Sequence, residues 1–165
     1  MMRSRRAGYL LGFAVCVALL AYALYAQFGQ GYEPCPLCIF QRIGVAAIGL
    51  VFLVAALHAP AGRGALVYGV LIDLAALATL GVAARHLYIQ FLPDGAVPAC
   101  GASLDYLYKV FPLTDVIRKV LTGSGECHKI TWTLLGLSMP GWVALSAAAL
   151  GSWGMLVSVR PAQRR

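Results

Sequence analysis

Four stretches of this chain, residues 7–28, 39–60, 65–92 and 140–159, are nearly unbroken apolar runs, each close to the ~20 residues a helix needs to cross a bilayer. No other feature limits the fold as much. Inside lipid only segments that satisfy their own backbone hydrogen bonds persist, and a single apolar run does so as a helix. Of the 165 residues 61% are hydrophobic and 12% charged, which rules out an ordinary soluble domain. The sequence therefore predicts an all-α membrane protein, one polytopic domain over residues 1–165 built as a four-transmembrane-helix bundle. The first run follows Arg3, Arg5 and Arg6 and contains small residues such as Ala21, Ala23 and Ala26 near its end, as a secretory signal does. Its apolar length from Ala7 to Ala26 exceeds the ~7–15 residues of a signal core, so a retained helix is expected.

Charge sets the orientation. Arg3, Arg5, Arg6, Arg63, Arg160, Arg164 and Arg165 match the formal net charge of +7 and lie before helix 1, between helices 2 and 3, and after helix 4, with no acid among them. In residues 93–139, Lys109, Arg118, Lys119 and Lys129 are balanced by Asp94, Asp105, Asp115 and Glu126. The positive-inside rule then puts both termini in the cytoplasm and turns the segments at about 29–38 and 93–139 outward, which for the inner membrane of a bacterial envelope is the periplasm. A basic balance distributed in this way is a topology signal and gives no reason to expect a nucleic-acid partner.

Four of the five cysteines fall in the two outward segments: Cys35 and Cys38 after helix 1, Cys100 and Cys127 after helix 3. An oxidising compartment lets disulfides persist there. Cys35 and Cys38 have the C-x-x-C spacing of dithiol redox centres and of half-sites for zinc. Position favours the redox reading, because Cys38 belongs to the first turn of helix 2, where unpaired backbone N–H groups and the helix dipole stabilise a thiolate. Arg42 follows one turn deeper on the same face and adds a charge that does not titrate away. The bland alternative is an arginine that only snorkels to the interface.

Cys100 and Cys127 are separated by 26 residues, a spacing that suits a loop-closing disulfide, either as a simple staple or as a mobile redox pair. Glycine and proline around both favour mobility. Between them Leu113, Val116, Ile117, Val120 and Leu121 recur at helical spacing, so the long periplasmic loop is expected to carry a short amphipathic helix on the membrane surface. Cys16, in the middle of helix 1, reads as a small packing residue.

Thiol–disulfide exchange conserves electrons, so a net oxidant needs a terminal acceptor. The chain has no C-x-x-C-H haem motif and no glycine-rich dinucleotide fingerprint. A quinone dissolved in the bilayer fits, with its head group near Cys38 and Arg42. Arg85, His86 and Gln90 at the outward end of helix 3 are further candidates for binding it, His86 and Gln90 sharing a face; the alternative is an ordinary polar helix end. Asp73, deeper in helix 3, is an intramembrane acid with no partner readable from sequence.

Four features in chain order, Pro34-Cys35-Pro36-Leu37-Cys38-Ile39-Phe40-Gln41-Arg42, Pro98-Ala99-Cys100, Gly125-Glu126-Cys127 and Leu135-Gly136-Leu137-Ser138-Met139-Pro140-Gly141-Trp142, resemble the DsbB family of disulfide-generating membrane proteins over most of the chain. The resemblance implies a thiol:quinone oxidoreductase with Cys35, Cys38, Cys100 and Cys127 as its redox residues. It implies that Cys100, paired with Cys127, is attacked by a DsbA-like thioredoxin-fold periplasmic protein. Cys127 then passes the electrons toward Cys35, and Cys38 is released as a thiolate beside ubiquinone or menaquinone from the membrane pool. Arg42 matches the family's quinone-proximal arginine, and His86 and Gln90 fall where relatives have polar residues near the quinone.

Three rivals remain at this point. Vitamin K epoxide reductase-like proteins share the frame, but there the loop pair precedes the C-x-x-C, the reverse of the order here. A specialised paralogue serving a dedicated partner has the same charge and cysteine pattern. A zinc-binding membrane module held by the four cysteines, with His128 as an extra ligand, differs in chemistry: it predicts tight zinc and reduced thiols, where the oxidase predicts bound quinone and no metal.

Overall fold

The computed structural model describes residues 2–93, 112, 115, 125–128 and 132–159, without the side chains of 2–4, 125 and 126. In chain order these form α1 (Met2–Gln30), α2 (Pro36–His58), α3 (Arg63–Gln90), a single turn α4 (Gly125–His128), a hairpin of β1 (Thr133–Leu134) and β2 (Leu137–Ser138), and α5 (Met139–Val159). Cys100 and the expected amphipathic helix, apart from Asp115, lie outside the described residues, as do Arg160, Arg164 and Arg165.

Helices α1, α2, α3 and α5 are the expected four, each long and apolar enough to cross a membrane. Their outer faces expose Leu24, Leu50, Leu57, Leu74, Leu77 and Leu145. Water would penalise that surface, and lipid does not. The buried core is modest, centred on Tyr9, Cys16, Ile48, Phe52, Ile72 and Leu150. Cys16 packs there against the α2 backbone at Gly49, where an added Cβ would lie 3.0 Å from the Cys16 Cβ.

The interface between α3 and α5 is the most extensive in the bundle. A Cβ at Gly154 would stand 2.5 Å from Ile72 Cγ2, and one at Gly69 would stand 2.7 Å from the Ser158 Cβ. Small residues let two backbones approach in lipid, where dispersion replaces the hydrophobic effect as the force between helices. The half-buried Asp73 meets α5 at Gly151 in this interface, well inside α3 from its Gln90 end. Tyr9 donates to Ser158 Oγ at 2.9 Å, Ser158 donates to Gly154 O at 2.7 Å, and Trp153 Nε1 donates to Gly8 O at 2.9 Å, which ties α1 to α5. At the same end Arg5 and Arg6 donate to Pro60 O and Leu57 O at 3.3 and 3.2 Å. Two arginines of the topology signal thus also cap the negative end of α2.

The hydrophobic run predicts a start for α2 near residue 39, and the helix begins earlier, at Pro36. Proline is pre-organised for the first helical position. Cys35 is the N-cap, extended at φ −65 and ψ 162, and its sulfur accepts from the Cys38 N–H at 3.4 Å. Near the same end of the bundle, Leu135 and Gly136 at φ 53 and 80 form the tight turn of the hairpin, whose twist requires positive φ at both positions.

Candidate active site

Three residues apart on one helical turn, Cys35 and Cys38 face different surroundings. Their sulfurs lie 3.1 Å apart, within easy reach of a disulfide, and both are thiols here.

Cys35 faces inward. It is buried with Leu37, Ile89 and Cys127, the last carried by α4. His86 Nε2, on α3, lies 3.8 Å from Cys35 Sγ and donates to Cys127 O at 3.2 Å. The side-chain amide of Gln41 donates to His86 Nδ1 at 3.0 Å, which fixes the ring and leaves its proton on Nε2. Both Gln41 and His86 are almost wholly buried, and each finds a partner, as polar groups out of water must. The reactive atoms of Cys35, His86 and Cys127 all lie within 4.8 Å of one another. A sulfur on α4 therefore stands close enough to Cys35 for exchange after a small movement.

Cys38 faces outward into a cavity of about 260 Å³, near the lower bound of small-molecule sites. Leu19, Leu20 and Ala23 of α1, Val45 of α2, and Met139 and Val143 of α5 make its walls apolar. Arg42 forms part of the floor, donating to Ala23 O at 3.0 Å and to Gln27 Oε1. Both partners are neutral, so the guanidinium charge stays available to an anion in the cavity. Trp132 and Trp142 close the rim with the hairpin; Trp142 Nε1 donates to Leu134 O at 3.1 Å, and Trp132 meets Tyr22 edge-on with centroids 6.1 Å apart.

The residues singled out from sequence are thus divided. Cys38 and Arg42 line one cavity, and Cys35 and Cys127 meet behind it. His86, Gln90 and Arg85 do not line the cavity. His86 lies beyond Gln41 among the cysteines, Gln90 Oε1 accepts from Ser138 Oγ at 2.8 Å, and the Arg85 guanidinium sits 5.2 Å above the Tyr88 ring. His86 and Gln90 do share a face, but that face is packed against α4 and the hairpin. His128 turns away from the thiols, donating from Nδ1 to Ile89 O at 2.9 Å.

Sequence reasoning missed Gln41, although it stands three residues after Cys38 and is a buried polar group in a spanning helix, a signal of function in itself. It also missed Gln27, Trp132 and Trp142, which matter only through contacts between distant segments.

A dithiol at the tip of one membrane helix, a third cysteine against it and an apolar cavity on its other flank define an integral membrane protein of thiol–disulfide chemistry. Comparison with known proteins agrees. Residues 5–157 match the family described as disulfide bond formation protein DsbB. Disulfide bond formation protein B of Methylococcus capsulatus is 49% identical over 153 residues, 93% of each chain. The protein of the same name from Chromobacterium violaceum is 50% identical over 150 residues, 91% of this chain and 90% of its own, and that of Xanthomonas euvesicatoria is 48% identical over 153 residues. The chain belongs to the DsbB family, membrane proteins of disulfide bond formation.

Proposed function

We propose that this chain is a thiol:quinone oxidoreductase of the bacterial inner membrane, with both termini cytoplasmic, that reoxidises a DsbA-like periplasmic dithiol protein. One observation carries the reading: the two cysteines of the C-x-x-C look in opposite directions, Cys35 toward Cys127 and Cys38 toward a cavity holding Arg42. A relay needs such a division, because one sulfur must meet another disulfide and the other must meet the electron acceptor.

A partner thiolate attacks Cys100 of a Cys100–Cys127 disulfide, forming a mixed disulfide and releasing the Cys127 thiolate. Cys127 attacks Cys35, which breaks the Cys35–Cys38 bond and leaves Cys38 as a thiolate. The second partner thiol resolves the mixed disulfide and frees Cys100, which attacks Cys127 to restore that pair and release Cys35; Cys35 and Cys38 then close their disulfide again as two electrons and two protons pass to the quinone, ubiquinone or menaquinone. In each exchange one sulfur–sulfur bond forms as one breaks. Arg42 supports the Cys38 thiolate and the negative charge that grows on the quinone oxygen, in an apolar setting where a fixed charge acts strongly. A cavity of about 260 Å³ with apolar walls has room for a quinone ring.

Replacing Cys38 by Ser tests this. Purified in detergent, the variant is expected to lose quinone-dependent oxidation of a reduced thioredoxin-fold partner entirely while remaining inserted, and to lose the visible absorption band that the partner induces in the quinone-loaded parent. Full turnover by Cys38→Ser would remove the oxidase reading.

A further inference from the structure

Cys35, His86 and Cys127 do more than adjoin one another. Their Sγ, Nε2 and Sγ atoms lie within 4.8 Å of each other, all three residues are buried, and they come from α2, α3 and α4. We propose that in the fully reduced chain these residues form a binding site for one soft divalent cation such as Zn²⁺, and that filling it stops the thiol relay.

Geometry comes first. Ligands bound at ~2.0–2.3 Å around a tetrahedral ion stand a little under 4 Å apart. Cys35 Sγ and His86 Nε2 are already at 3.8 Å, so only Cys127 needs to close in. Cys38 Sγ, 3.1 Å from Cys35 Sγ, is the nearest further donor for the fourth position. The Cys38 N–H that donates to Cys35 Sγ at 3.4 Å also supports negative charge on that sulfur.

Charge agrees with geometry. With a neutral donor, water or the Cys38 thiol, in the fourth position, binding replaces two thiol protons by the cation, leaving two thiolates, a neutral imidazole and no net charge. A neutral cluster is the form that a buried, apolar position tolerates. His86 also has the outer support that metal-bound histidines need. Turning the Gln41 amide over would present Oε1 to Nδ1, move the ring proton there and free the Nε2 lone pair for the ion. This site is distinct from a four-cysteine structural zinc, since it uses His86 and exists only when both disulfides are open.

The blocking half of the proposal rests on the oxidase reading, because it assumes that Cys127 must reach Cys35. The binding half stands alone and is tested first. Protein reduced with a phosphine and titrated with Co²⁺ in detergent is expected to take up one ion with sulfur-to-cobalt charge-transfer bands. Protein with both disulfides closed is expected to take up none. Cys127→Ser and His86→Ala should each weaken binding about 100-fold and Gln41→Ala about 10-fold, the loss usual for an outer-shell partner. Should a variant fold poorly, the unaltered chain gives the same answer, for Zn²⁺ must shield Cys35 and Cys127 from alkylation as read by mass spectrometry.

Cobalt uptake that survives His86→Ala but vanishes in Cys100→Ser would point to a four-cysteine site and overturn the proposal, as would no uptake or no shielding. If binding is found and Zn²⁺ leaves the exchange between partner and quinone untouched, the blocking half falls. The oxidase reading fails separately, on the Cys38→Ser assay.

Discussion

The two flanks of the C-x-x-C differ in almost every physical respect. On the Cys35 flank the side chains are closed from solvent and joined by specific polar contacts: Gln41 to His86, His86 to the Cys127 carbonyl, and sulfurs within a few ångströms. On the Cys38 flank there is an open apolar cavity with one fixed positive charge and an aromatic rim. The first surroundings suit a reaction between protein atoms whose positions the fold can set. The second suit a small apolar molecule that must come and go. One helical turn separates the two surroundings, and Gln41 stands between them, lining the cavity and bonded to His86.

If the contrast is correct, variants on the two flanks should separate in kinetics. The largest effect is expected from Arg42→Gln, which removes the cavity's charge. Loss of a hydrogen bond to a charged group costs ~1.5–3 kcal/mol, so KM for quinone should rise about 10–100-fold while KM for the partner protein stays within about twofold. Equal rises in both, read by steady-state titration of each substrate, would detach Arg42 from the cavity's function.

A smaller effect is expected from His86→Phe. It removes the ring's polar contacts, so the Cys127-to-Cys35 exchange should slow about five- to tenfold, consistent with neutral hydrogen bonds near 1 kcal/mol each. Quinone KM should stay unchanged, and rapid-quench trapping of the mixed disulfides measures the step directly. A raised quinone KM would instead return His86 to the quinone site, where the sequence had placed it. The smallest effect belongs to Trp142→Phe, which keeps the aromatic rim but loses the bond to Leu134 O. Quinone KM should rise by no more than about threefold, and a larger rise would mean that the hairpin is the gate of the cavity.

Much of this protein was legible in the order of its residues. Four apolar runs of bilayer length dictate four helices, because lipid offers the backbone no other partner. Cys35 and Cys38 at the head of the second run, with Arg42 a turn below, mark the dithiol and its cation. Those signals are local, carried by spacing along one helix or by composition of one segment.

What only the tertiary structure decided is which side chains meet across helices. His86 could face a cavity or a cysteine with equal ease as far as α3 alone is concerned, since a helix of low amphipathicity does not announce its rotation about its own axis. Only in the packed bundle, with α3 seated on α5 at Gly69, Gly151 and Gly154, does His86 face Gln41 of α2 and Cys127 of α4. Gln41 likewise became a partner of His86, and Trp132 and Trp142 the rim of a cavity, only once segments far apart in the chain were packed together. Close packing between helices is a property of pairs of surfaces, and no single stretch of residues contains it.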